Sequence, residues 1–325
     1  MGRQEMMDAE QIKEHLADSN NIRRVLILGH TGFIGGHLER FLRIQWPELE
    51  VVGWSFPAID LTTETGMSSL SGLFDLKTAV IVCAGVKRQL GDNLDTFSQN
   101  MKIAINLCRR LQEQSVRCLV FFSSAAVYGE EIHNTAITEE TPIQPTSYYG
   151  LAKYVSECLL RKAVAQPGPG SLLILRPTLV YGPGDVSGGY GPSGFVRAAL
   201  AGQPITLWGD GSEQREFIFV EDLVRIVCRL ALHDYDGVLN IATGHSYSFK
   251  DVLEIISRLV QGKMQVNSRP RTKNKVDHGF NNTSLTNLLP DFVFTSLEEG
   301  ICRTFIAESQ RGAPQAQSDA GKEKP

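Results

Sequence analysis

An α/β fold, a doubly wound parallel sheet with a smaller C-terminal α/β lobe, is the class this sequence predicts. Three observations carry it. Short β-branched and apolar runs alternate with longer amphipathic ones through the first half of the chain. A turn with glycines three apart, GHTGFIGG (29–36), follows the first such run. After Pro177 the rhythm breaks into a stretch crowded with glycine and proline.

The strands are read in order as VLIL (25–28), EVVGW (50–54), AVIVCA (79–84), CLVFFS (118–123) and LLILRP (172–177). They are continuously apolar rather than alternating, as expected of strands covered on both faces by helices. YGPGDVSGGYGPSG (181–194) then leads into a helical run, FVRAALAG (195–202). REFIFVEDLVRIVCRLAL (215–232) reads as strand then helix, with Asp222 capping that helix. SFKDVLEIISRLV (248–260) reads as a helix with Ser248 as N-cap. The expected organisation is a polar N-terminal extension at 1–21 and a dinucleotide-binding (Rossmann) domain at 22–178. A substrate lobe at 179–306 follows, with about 216–240 returning to the large sheet, and then a disordered tail at 307–325. A ligand cleft is expected where the lobe caps the carboxyl ends of the strands.

Composition excludes other classes. The 325 residues are 42% hydrophobic and 21% charged with a formal net charge of −4, which gives no basic excess for nucleic acid and no membrane partner. The six cysteines include no C-x-x-C pair, so they read as reduced core thiols, and no metal site is expected. The first 21 residues lack the apolar core of a signal peptide, so the cytoplasm is the expected location.

The glycines have a mechanical reading. Gly29 turns the chain off the first strand, Gly32 lets backbone approach a diphosphate, and Gly35 lets the next helix pack on the sheet. Ser55 stands where NAD binders usually carry an acid, which leans towards NADP over NAD, although no arginine follows it. Asp60 is a candidate partner for the adenine amino group, with a turn or cap as its plain alternative. His30 reads as a polar group near the phosphates or in solvent.

Catalytic candidates lie in FFSSAAVYG (121–129) and TSYYGLAKY (146–154). Tyr149 and Lys153 are four apart on one helical face. An ammonium beside a phenol is expected to lower the phenol's pKa. Ser124, after the fourth strand, could hold a substrate oxygen beside it.

In order and spacing these segments resemble the extended short-chain dehydrogenase/reductases, nearest to nucleotide-sugar 4-epimerases and 4-ketoreductases, over about 25–305. The resemblance implies that Tyr149 is the acid/base, Lys153 its tuner and ribose anchor, and Ser124 the polariser of the C4 oxygen. It places Gly29, Thr31, Gly32, Phe33, Ile34, Gly35, Ser55, Asp60 and Leu61 at the cofactor. Ala84, Gly85, Lys87, Asn100, Ser123, Tyr149, Lys153 and Pro177 complete that set. Lys87, Ser124, Tyr149 and Arg215 are implied for the substrate, Arg215 pairing with a diphosphate. A homodimer through helices around 100–112 and 149–162 is implied as well.

Two departures narrow the reaction. Ala126 stands where sugar dehydratases of the family carry an acid, which disfavours dehydration. Leu179 replaces an asparagine that contacts the sugar nucleotide in many relatives. The expected activity is therefore NAD(P)-dependent hydride transfer at C4 of a nucleotide sugar, as a 4-epimerase. The alternatives are an NADPH-dependent ketoreductase of a nucleotide sugar or other ketone, and a non-catalytic NAD(P)-binding scaffold or sensor.

Overall fold

The computed structural model describes residues 22–164, 170–186, 190–233, 235–260 and 264–312. The expected extension at 1–21 and the tail from 313 onward lie outside the described residues. The first half runs β1 (Arg24–Leu28), α1 (Phe33–Gln45), β2 (Glu50–Trp54), α2 (Glu64–Ser68), β3 (Thr78–Val82), α3 (Leu94–Glu113) and β4 (Cys118–Phe122). It continues through β5 (Asn134–Ile137), α4 (Tyr148–Val164), β6 (Ser171–Pro177) and β7 (Leu179–Tyr181). The second half runs α5 (Pro192–Leu200), β8 (Ile205–Trp208), β9 (Gln214–Phe219), α6 (Val220–Leu232), β10 (Gly237–Ile241) and β11 (Ser246–Ser248). It ends with α7 (Phe249–Leu259), β12 (Val266–Arg269), β13 (His278–Phe280), α8 (Thr283–Leu288) and α9 (Leu297–Gly312).

Six parallel strands form the main sheet in the order β10-β6-β4-β3-β1-β2. All residues of β3 and β4 are buried, since separate apolar cores cover the two faces of the sheet. Strand order reverses between β1 and β3, so a crevice opens at their carboxyl ends. Two glycines are indispensable there. Gly29 has φ +94°, and a Cβ on it would lie 2.7 Å from the backbone N of Ala84; one on Gly35 would lie 2.2 Å from the carbonyl oxygen of Gly29.

The smaller lobe is built from short sheets, β11-β9-β7, β12-β8 and β13-β5, over a third core rich in Phe195, Phe217, Phe219 and Phe249. The β13-β5 pairing ties this lobe back to the first half of the chain. Ser248 caps α7 as expected, accepting from the backbone N–H of Asp251 at 3.1 Å.

Three expectations need correction. The return to the large sheet begins with α6 and is completed by β10, whereas β9, expected to return from residue 216, pairs with β7 and β11. Asp222 does not cap α6: it lies inside the first turn, fully buried, and accepts from Thr295 N at 2.7 Å and Thr295 Oγ1 at 2.9 Å. Residues 307–312, expected in the tail, continue α9, because Glu308 anchors the helix by accepting from Gly184 N at 2.7 Å.

Candidate active site

α4 begins where three local features agree. Ser147 accepts from Gly150 N at 3.0 Å and so caps the first turn, and Asp92 accepts from Tyr149 N at 3.0 Å. Gly150 is required by close approach, since a Cβ there would meet the carbonyl oxygen of Ala126 at 2.6 Å. The helix is thereby pressed onto the short turn 125–128, whose N-cap is Ser124. Ser124 Oγ accepts from Ala126 N at 3.1 Å and is hydrogen-bonded to the Tyr149 phenol.

Lys153, one turn on, is buried, with Nζ 5.7 Å from the centre of the Tyr149 ring. Nζ donates to the carbonyl oxygen of Phe122 at 2.6 Å. Burial brings its pKa down to about 8, with Cys83 and Glu157 opposing that shift. Tyr149 departs from the expectation of a lowered phenol. Burial pushes it up to about 12, only partly offset by the Ser124 hydrogen bond. In the protein alone, desolvation outweighs the nearby ammonium, which is directed at a backbone carbonyl.

Behind this pair lies a buried polar network. Arg176 donates to both oxygens of Glu157, at 3.0 and 2.7 Å, and to the Tyr128 hydroxyl at 2.8 Å; that hydroxyl donates to Asn240 at 2.7 Å. Burial alone would lower the Arg176 pKa, but the hydrogen bonds and charge of Glu157, with Tyr128, hold it above its usual range. The Ser123 side chain joins this network: its hydroxyl donates to Glu157 at 2.5 Å and is buried. Adjacent serines leave β4 towards different neighbours, so only Ser124 reaches the phenol.

Other expected cofactor residues fall into place unevenly. Asn100 spends its amide on the backbone of Val86, accepting from its N at 2.8 Å and donating to its O at 3.1 Å, and so positions the 84–87 segment. A Cβ on Gly85 would lie 3.5 Å from Lys153 Nζ, so this segment runs from the glycine turn to Lys153. Lys87 is exposed. Ser55 is buried and holds the turn: its Oγ accepts from Thr31 N at 3.1 Å and lies 3.0 Å from His30 Nδ1. His30 thus packs into the turn. Asp60 takes its plain role, accepting from Thr62 N and Oγ1 at 2.9 and 2.7 Å, and Leu61 is core.

A dinucleotide fits this crevice. Gly32 precedes α1 with no side-chain cap, so the first-turn N–H groups beside Phe33, Ile34 and Gly35 stay available to a phosphate. Gly29 and Gly35 leave no room for side chains between turn and sheet.

From Ser124 a cleft of about 850 Å³ opens between the two lobes. Pro177 and Leu179 line it on the strand side, the latter 43% exposed. Arg215 also lines it, but its guanidinium is engaged with Glu213 and with the carbonyl oxygens of Gln214 and Val276. Sequence reading missed Arg88, Glu130, Tyr190, Trp208, Arg271 and His278, which share this lining. None stands in a periodic pattern. Glu157 was the legible omission, four residues beyond Lys153 on the same helical face.

Fold and site together define an NAD(P)-dependent enzyme of the extended short-chain dehydrogenase/reductase type. The model of the NAD dependent epimerase/dehydratase family matches residues 25–242, and the chain belongs to that family. It is 28% identical over 262 residues to a dTDP-4-dehydro-6-deoxy-D-allose reductase of a Streptomyces species, covering 72% of this chain and 80% of that one. To a putative UDP-glucose 4-epimerase of Methanocaldococcus jannaschii it is 27% identical over 253 residues, covering 71% and 81%. The solved structure of the UDP-glucose 4-epimerase of Thermus thermophilus in complex with NAD superposes with TM-score 0.77 at 26% identity. That match covers 90% of this chain and all of the other.

Proposed function

We propose that this protein is an NAD(P)-dependent nucleotide-sugar epimerase/oxidoreductase that moves hydride at C4 of the sugar, with residues 22–178 holding the cofactor and 179–306 mainly the substrate. One observation carries this reading. The Tyr149 phenol is bonded to Ser124, a residue of the cleft wall, while Lys153 behind it adjoins the segment that meets the glycine turn. The nicotinamide, when bound, supplies the acceptor and donor of hydride. Tyr149 carries the matching proton to or from the sugar oxygen, and Ser124 holds that oxygen in reach. Lys153 steadies the phenol and the cofactor ribose. Ala126, two residues beyond Ser124, offers no acid to expel water, so reaction at a single carbon is favoured over dehydration.

A 4-ketoreductase is the second reading, and the phenol favours it. A tyrosine raised to about 12 is protonated at neutral pH, the state that gives a proton to a carbonyl oxygen. NADP is proposed over NAD because Ser55, the residue after β2, stands there rather than a carboxylate, so a 2'-phosphate meets no anion. Tighter binding of NADH than NADPH, read by cofactor fluorescence, would overturn that preference. The proposed partner is a second copy of this chain against α3 and α4, which pack together and leave Leu94, Ile105, Tyr148 and Leu151 exposed. Among the described residues no helix is long and apolar enough to cross a membrane.

The decisive experiment incubates the protein with UDP-, GDP-, CDP- and dTDP-sugars, with and without NADPH, and analyses the products. Isomerisation without net cofactor use supports the epimerase. Consumption of NADPH with a keto sugar supports the reductase. Cofactor binding with no turnover of any sugar would sink both in favour of a scaffold.

A further inference from the structure

The cleft wall carries Arg88, Arg215, Arg271 and Lys273 against Glu130, Glu131, Glu213 and Glu216, a balance of four cations and four acids. Glu130 and Glu131 each pair with one of these cations. Arg88 lies 2.5 Å from Glu130, and Lys273 is bonded to Glu131. Glu216 is turned inward, accepting from Phe280 N at 2.7 Å and Gly244 N at 3.0 Å. Glu213 differs, because two guanidinium groups share its carboxylate. Arg271 Nη1 donates to Oε2 at 2.5 Å and Arg215 Nη2 to Oε1, and all three side chains are 17–20% exposed. Arg271 Nη2 is buried without a hydrogen-bond partner among the described residues and lies 3.7 Å from Asp210 Oδ1. Two guanidinium forks converging on one anion is the arrangement that phosphate oxygens also satisfy.

We propose that Glu213 sets the specificity of the cleft. It is an internal anion seated between Arg215 and Arg271, which the diphosphate of a nucleotide-linked ligand must displace. The proposal rests on the nucleotide-sugar reading above and adds to it the residue that sets how tightly the diphosphate is held. With Glu213 in place, an entering diphosphate meets a neutral wall and a carboxylate where its own oxygens would sit. Like charges brought together in a partly buried site oppose binding strongly. Exchanging the carboxylate for an amide leaves the side-chain volume nearly unchanged and removes the anion between the two guanidinium groups. Glu213 therefore discriminates among ligands by anionic charge, and favours those whose remaining contacts offset the exchange.

The test measures binding of UDP, GDP and dTDP by titration calorimetry to the wild-type chain, Glu213→Gln and Glu213→Ala. Uridine, guanosine and thymidine serve as uncharged controls. Glu213→Gln is expected to bind at least one diphosphate about tenfold more tightly, with the nucleoside control unchanged and a steeper loss of affinity as salt rises. Glu213→Ala should repeat the gain, which keeps the result readable if either variant is poorly folded. Equal or weaker diphosphate binding in folded variants overturns the proposal and makes Glu213 an orienting partner of the arginines. Nucleotide-sugar turnover alongside unchanged diphosphate affinity sinks this inference alone. Absence of diphosphate binding and of nucleotide-sugar turnover in all three proteins removes the nucleotide-sugar reading and this inference together.

Discussion

The two walls of the cleft are built on opposite plans. On the strand side, Ser124, Tyr149 and Lys153 are fixed by close backbone contacts and by hydrogen bonds that leave few polar groups idle. On the lobe side, Arg215, Arg271 and Lys273 are held mainly by acids, and the pairs are partly exposed to solvent. The first wall is assembled before a ligand arrives. On the proposed reading the second trades partners with its ligand, and displacing Glu213 from between Arg215 and Arg271 sets the cost of that exchange. In the proposed function, chemistry belongs to the rigid wall and selection among substrates to the other.

The sharpest way to break this contrast is Tyr149→Phe. Removing the transferable proton should lower kcat by about 10²–10⁴-fold while thermal stability and cofactor binding stay near wild type. Undiminished turnover would take Tyr149 out of the mechanism. Next, Glu157→Ala strips the buried partner from Arg176 and Ser123, and is expected to destabilise the fold by about 3–5 kcal/mol in urea unfolding. A loss below about 1 kcal/mol, the range of an exposed ion pair, would erase the distinction drawn between the walls.

Gly150→Ala should cost about 1–3 kcal/mol, because the added methyl meets the Ala126 carbonyl and lifts α4 off the turn bearing Ser124. Activity should fall further than stability if the phenol–Ser124 bond depends on that contact. Unchanged kcat would separate the two.

The smallest effect concerns pH and the lobe side. Burial, with the charge of Arg215, lowers His278 to about 4 from its ordinary 6.5. The unfolded chain then takes up a proton that the folded one refuses, so stability is complete above pH 6.5 and declines as pH falls towards 4. The full decline should be about 3 kcal/mol and should vanish in His278→Gln. An identical acid limb in that variant would assign the decline to other groups.

Much of the chemistry was legible because it is local. Tyr149 and Lys153 share a helical face by spacing alone, and the glycines announce a turn that no side chain could occupy. Ser248 and its capping box were likewise readable from neighbours three apart. What misled was equally specific. The Ser123 hydroxyl is taken up by Glu157, which its place after β4 does not reveal. Asp222 resembles a helix cap yet holds Thr295, 73 residues further on. The lysine's expected lowering of the phenol failed because burial, which spacing does not reveal, is the larger effect at Tyr149.

By itself the sequence determined the strands, the glycine turn and the spacing of the catalytic pair, since periodicity and backbone sterics act over a few residues. Tertiary structure decided which serine faces the phenol, how far burial shifts each proton, and that Arg215 and Arg271 share one carboxylate. Those outcomes depend on which distant segments are brought into contact and how much water is removed between them. Residues 213, 215 and 271 meet only after two loops are folded over the same cleft.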